Sequence, residues 1–138
     1  SVLRPSAIYG AGMAAGLVTT VIQRLVSGQT VRANDGARYR ADLVYVGDVV
    51  AAAIRCLETS SSGIFNIGSG RATSVTELVT CVASILNIES PEIEYEGDRS
   101  GPPLGYPPLD ISRARATLDF TPTSINEGLT RMLAGMSQ

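Results

Sequence analysis

The chain has 138 residues, a net charge of −2, 44% hydrophobic and 17% charged content, enough for one globular domain and short for a two-domain enzyme. No disorder signature is present, no apolar run is long enough to span a bilayer, and the acidic balance argues against a nucleic-acid module. There is no His and all 11 basic residues are Arg, so histidine triads, Schiff-base lysines, P-loops and His-dependent zinc sites are excluded.

Cys56 and Cys81 lack metal-ligand spacing and lie in helical stretches, so they read as buried small apolar residues of a reducing, cytoplasmic compartment. Ser1 is followed at once by the apolar start of a strand, and the chain therefore reads as a piece of something larger.

Residues 1–12 form one β-prone run stopped by Gly10 and Gly12. Leu17, Val18, Val21, Ile22, Leu25 and Val26 recur at three- and four-residue steps, which predicts an amphipathic helix ending at Gly28. Asn34-Asp35-Gly36 is a turn signal between residues 29–33 and 42–46, two segments that read as small strands joined by a loop. Asp48 is placed to cap the next helix, whose apolar positions are Val49, Val50, Ala53, Ile54 and Leu57. Residues 64–67 form a short buried strand closed by Gly68-Ser69-Gly70.

Ser74 with Glu77 is a capping box ahead of the stripe Val75, Leu78, Val79, Val82, Ile85 and Leu86. Residues 92–95 read as one more strand. Gly97, Gly101, Pro102, Pro103, Gly105, Pro107 and Pro108 then make a long, stiff, irregular loop of the kind that carries function. Asp110 opens a short helix through Leu118, and Ser124 with Glu127 caps a last one bearing Ile125, Leu129, Met132 and Leu133. The alternation argues for an α/β architecture with the apolar strands in a parallel sheet, although the helices outnumber the strands they would cover.

Six collinear segments carry a resemblance. Arg4-Pro5-Ser6-Ala7-Ile8-Tyr9-Gly10, Asp42-Leu43-Val44-Tyr45-Val46-Gly47-Asp48-Val49 and Phe65-Asn66-Ile67-Gly68-Ser69-Gly70-Arg71-Ala72-Thr73-Ser74-Val75 come first; Gly97-Asp98, Asp110-Ile111-Ser112-Arg113-Ala114 and Glu127-Gly128-Leu129 follow. Together they resemble the C-terminal half of the NAD-dependent nucleotide-sugar epimerases and dehydratases, the extended short-chain dehydrogenase/reductase family that includes UDP-glucose 4-epimerase. The resemblance implies that residues 1–138 are the late sheet strands and small substrate-binding domain of a Rossmann-type protein, the N-terminal dinucleotide-binding half being absent. The family's Gly-rich dinucleotide turn and its Tyr-x-x-x-Lys pair have no counterpart here, so the resemblance implies a chain with no catalytic residue of its own, not competent alone.

By the same resemblance, Pro5 and Ser6 lie at the nicotinamide carboxamide of NAD or NADP, which the intact protein would bind and this chain alone would not. Ala7 stands where many members carry a substrate-binding Asn, Ala33 where backbone reads the nucleotide base, and Tyr95 where a second phosphate Arg is common, with Arg99 as a nearby substitute. Arg40, one residue before the family's diphosphate position at Ala41, is the phosphate candidate and Arg38 its fallback. Asp98 matches an Asp that accepts nucleotide hydroxyls.

Tyr45, Asp48 and Asn66 read as structural residues. The implied partners are a nucleotide-diphosphate sugar and, over the strand at residues 2–8 and the apolar face of helix 17–26, either the missing half or a second copy of the chain. An NADP-dependent ketone or aldehyde reductase of the same superfamily and a non-catalytic binding or assembly module remain as alternatives.

Overall fold

The structure is a computed structural model and describes residues 1–136. The β-prone run at its start divides in two. β1 (Val2–Pro5) lies parallel to β5 (Ile64–Ile67), with Val2 opposite Ile64, whereas β2 (Ala7–Tyr9) lies parallel to β4 (Arg40–Tyr45), with Ala7 opposite Leu43. The handover falls at Ser6, whose N–H makes the last bond to this neighbour, Ile67 O at 2.9 Å. Pro5 beside it brings no N–H to either ladder. The single strand expected here is two strands with different partners.

α1 (Leu17–Val26) buries Val18, Val21, Ile22 and Leu25, the stripe its spacing predicts. It closes as expected at Gly28, with Gly28 N–H donating to Leu25 O and Gln29 N–H to Arg24 O. The segments flanking Asn34-Asp35-Gly36 are both strands but do not pair with each other. β3 (Val31–Ala33) runs parallel to β7 (Ile93–Tyr95), while β4 lies between β2 and the antiparallel β6 (Ala72–Ser74), with a 3-10 turn at Asp35–Ala37 between β3 and β4. Three residues running into a helix cap carry no alternation, so β6 left no sequence signal.

α2 (Val46–Glu58) overturns two expectations. It begins at Val46 with Tyr45 as its N-cap residue, so Asp48 sits inside the first turn rather than capping it. The Asp48 carboxylate is buried and accepts from Thr123 N (2.9 Å) and Thr123 Oγ1 (2.6 Å). The helix buries Asp48, Ala52 and Cys56, which leaves Val50, Ile54 and Leu57 outward, Leu57 at 82% exposure.

α3 (Val75–Leu86) has the expected cap, Ser74 Oγ accepting from Glu77 N at 3.1 Å, an interaction worth about 1 kcal/mol. Glu77 itself turns away to pair with Arg71. α4 (Ser112–Leu118) and α5 (Ile125–Met136) complete the chain, α5 with Ser124 Oγ accepting from Glu127 N.

Two apolar clusters result. One joins α1, α3 and α5 with Tyr9 and Leu43; the other gathers Phe65, Ile67, Ala52, Cys56, Leu118 and Phe120 around Val44. Adjacent residues of a strand face opposite ways, so β4 divides the clusters between Leu43 and Val44. Among the described residues β1 is paired along one edge only, and the outward stripe of α2 adjoins it across an open hollow lined by Leu3, Ala53, Cys56 and Leu57. The bare helix face expected beside the first strand therefore belongs to α2 and not to α1, whose stripe is covered by α3. No described helix is long and apolar enough to cross a membrane.

Candidate functional site

The Gly/Pro loop is fastened across the start of β4 at two points. Arg40 N–H donates to Leu104 O and Leu104 N–H to Arg38 O, both at 2.9 Å, and Leu109 N–H donates to Asp42 Oδ2 at 2.9 Å. Between these anchors residues 105–108 form an arch. Its first residue, Gly105, has φ +97° and a Cβ there would collide with Arg40 O, so only glycine fits. Pro107 and Pro108 stiffen the far side.

Asp42 holds this construction together. Besides Leu109, its carboxylate accepts from Ser69 N and Ser69 Oγ, each at 2.7 Å, and from Gly70 N at 3.3 Å. Four donors fill about the whole acceptor capacity of a carboxylate. The side chain is buried, and it ties β4, the Gly68-Ser69-Gly70 turn and the arch to one point.

Beneath the arch lies a cavity of about 270 Å³ walled by Pro5, Ser6, Ala7, Tyr39, Arg40, Ala41, Asp42, Tyr106, Pro107 and Leu109. Four of the residues expected at a site, Pro5, Ser6, Ala7 and Arg40, meet here. Ser6 Oγ is buried with no hydrogen-bond partner among the described residues, a costly state that a ligand relieves.

On the other side of Arg40 a second hollow of about 360 Å³ is lined by Gly36, Ala37, Arg38, Arg40, Ser74, Thr76, Arg99, Gly101 and Pro103. Three arginines converge on it with no carboxylate in its wall. Arg38 is oriented by bonds from Nε to Asp35 O (3.0 Å) and from Nη1 to Pro102 O (3.4 Å), and Arg99 lies 4.3 Å over the Tyr95 ring. Arg40 makes no ion pair or side-chain hydrogen bond among the described residues. A hollow of this kind suits a polyvalent anion, because guanidinium forks match phosphate oxygens.

The remaining expected residues flank this second hollow without lining it. Ala33 is buried, stands opposite Tyr95 in the β3–β7 ladder, and gives its carbonyl to Glu96 N–H. Asp98 is exposed; its Oδ1 accepts from Ser100 N (2.8 Å) and Ser100 Oγ (2.7 Å), which holds its carboxyl below the usual aspartate range. Both bonds fall on one oxygen. Asn66 donates to Asp110 O, a structural role as expected.

Tyr39, Tyr106 and the hub role of Asp42 were not found from sequence. An exposed tyrosine carries no signal of its own, and a carboxylate's partners 27 and 67 residues away leave no local pattern. No cluster of three or more His, Cys, Asp or Glu able to hold a metal is present among the described residues.

The parallel α/β framework is of the Rossmann type, and residues 1–68 match the model of the NAD dependent epimerase/dehydratase family. The chain belongs to that family. It is 33% identical over 136 residues to UDP-glucose 4-epimerase of Mycolicibacterium smegmatis, an alignment covering 94% of this chain and 42% of that protein. It is 29% identical over 136 residues to dTDP-4-dehydro-6-deoxy-D-allose reductase of a Streptomyces species, covering 92% and 40%. Among solved structures it is similar to UDP-glucose 4-epimerase of Thermotoga maritima with UDP-glucose, with a TM-score of 0.80, 29% identity, and coverage of 99% of this chain and 45% of that one. The chain thus spans less than half the length of these relatives.

Proposed function

We propose that the chain is the substrate-binding portion of an NAD-dependent nucleotide-sugar epimerase or dehydratase. It holds the sugar under the arch and the diphosphate on the arginines beside it. The observation that carries this reading is Arg40, an unpaired guanidinium that walls both the mixed cavity and the cationic hollow. A ligand with two uncharged ends joined by a polyanionic centre matches that order of surfaces.

The residues at the inner end suit a cofactor. Ser6 Oγ is buried and without a partner, and a carboxamide offers it both donor and acceptor, while Pro5 presents a ring with no competing N–H. The chemistry such a cofactor would supply is reversible hydride transfer with the sugar. The chain's own residues would orient the substrate, which is where much of the rate advantage of a bound reactant arises.

Residues 1–138 are one portion of the functional unit on this reading. The open edge of β1 and the outward stripe of α2 are the seam for a dinucleotide-binding half, which would add a strand to the edge and bury the apolar side chains. Catalytic residues would come from that half, since this chain has no lysine and no histidine. The purified 138-residue chain is expected to show no NAD-dependent turnover of UDP- or dTDP-hexoses; measurable turnover would place catalytic groups within it and overturn the division.

In the intact protein Arg40→Ala and Asp98→Ala are expected to weaken nucleotide-sugar binding and leave NAD affinity nearly unchanged. A lost bond to a charged partner costs about 1.5 to 3 kcal/mol, roughly ten- to hundredfold in affinity. Calorimetric titration with substrate and cofactor separately checks this, and equal losses for both would show that these are folding residues.

A reductase of the same superfamily is the second reading, favoured by the absence of side-chain donors at Ala7 and Ala41 and by the likeness to a reductase. Stoichiometric consumption of reduced NAD or NADP with a keto substrate would select it.

A further inference from the structure

Resting on the nucleotide-sugar reading, we propose that the cavity under the arch selects a deoxysugar, a pyranose that presents a methyl or methylene edge where a common hexose presents a hydroxyl, and that carries no carboxylate. The lining bears this out residue by residue. Ala7 contributes a methyl group, Leu109 an aliphatic side chain, Pro5 and Pro107 rings without N–H, and Tyr39 and Tyr106 aromatic faces.

The polar groups in the same wall are already committed. Asp42 has four donors on its two oxygens and can accept nothing further. Ser6 and Arg40 serve the cofactor and the diphosphate on the reading above. The tyrosines are exposed, Tyr39 at 42% and Tyr106 at 89%, so their hydroxyls are free to stay in water while their rings meet the ligand.

A sugar hydroxyl pushed into this wall gives up water and finds no partner, which weakens binding roughly ten- to hundredfold for each such group. A methyl group in the same place loses nothing. A uronate would be rejected more strongly, because a desolvated carboxylate needs a cation, and the one in this wall faces the diphosphate.

The arch makes this selectivity rigid. Fastened at Leu104 and Leu109 and stiffened by two prolines, it fixes the backbone that carries Tyr106 at the cavity wall before any ligand arrives. Little ordering cost is then left to be met on binding. Tyr106 is thereby a specificity-determining residue whose ring caps the apolar face of the pyranose.

The test is calorimetric titration of the intact protein with UDP, UDP-glucose and UDP-6-deoxyglucose, and with the matching dTDP series. Within the series whose free nucleoside diphosphate binds, the 6-deoxyhexose is expected to bind at least tenfold more tightly than the hexose. Ala7→Asn, which adds a donor and an acceptor to the wall, should narrow that gap. Tyr106→Ser, at a position too exposed to affect folding, should weaken the deoxysugar several-fold while the affinity for the nucleoside diphosphate stays the same. Binding of the nucleoside diphosphate with equal or tighter binding of the hexose overturns the deoxysugar assignment alone. Failure of both UDP and dTDP to bind overturns the nucleotide-sugar reading and this inference with it.

Discussion

Replacing Asp42 with Ala is expected to lower the unfolding free energy by about 3 to 5 kcal/mol, the sum expected when several donors lose a charged acceptor at once. The substitution strips a partner from Ser69 N, Ser69 Oγ, Gly70 N and Leu109 N in one step, and each buried donor left unsatisfied costs about 1 to 3 kcal/mol, less where water can reach it. It also frees one end of the arch, so the cavity beneath it loses its roof before the fold is lost. Asp42→Asn should give about half the loss: the amide nitrogen occupies the volume of one oxygen but presents N–H groups to donors that need an acceptor. Denaturant unfolding of the intact protein measures both, and a loss under about 1 kcal/mol for Asp42→Ala would show that the four bonds do not act as a hub.

Gly128→Ala carries the second large effect. Gly128 lies in α5 facing Tyr9, and a Cβ there would overlap the Tyr9 hydroxyl and stand 2.8 Å from its Cζ. Tyr9 is fully buried beside Tyr45, with ring centroids 5.8 Å apart, so it has no room to retreat. Alanine gains up to about 1 kcal/mol in helix propensity, but overpacking of this severity outweighs it, and a net loss of about 2 to 3 kcal/mol is expected.

The Tyr9 hydroxyl has no hydrogen-bond partner among the described residues, and burial pushes its pKa far above the usual tyrosine value. Tyr9→Phe should therefore be neutral or slightly stabilising, since it removes an orphaned polar group. The double variant should recover part of the Gly128→Ala loss. Strict additivity of the two changes would mean that they do not meet in the core.

These two sites show where the sequence is legible and where it stops. Ser74 and Ser124 announce their helices because a cap and its partner N–H are three residues apart, a distance that any reading of the chain covers. The stripe of α1 is legible for the same reason. The helix α2 is apolar on two sides, and periodicity alone cannot say which side faces the core; Ala52 and Cys56 do, while Val50, Ile54 and Leu57 face outward. Asp48 looks like a cap until Thr123, 75 residues away, is brought against it.

The family motifs point to Pro5, Ser6, Ala7 and Arg40, and these four line one cavity. Its aromatic wall and its roof come from a loop whose sequence says only that it is stiff.

The pairing pattern has a kinetic consequence. Among the described residues no strand pairs with the next one along the chain: Val2 meets Ile64, Val31 meets Ile93, and even the antiparallel pair sets Arg40 against Ser74. Every ladder closes a loop of about thirty residues or more, so the entropy of closure must be met before any cross-strand bond rewards it. During synthesis β1 leaves the ribosome about sixty residues before β5, so its edge toward β5 stays unpaired for several seconds. β1 and β3, each about sixty residues ahead of its partner, are thus open to misassociation while the protein is being made, and slower growth at lower temperature, where hydrophobic association is weaker, is the condition that favours recovery in folded form.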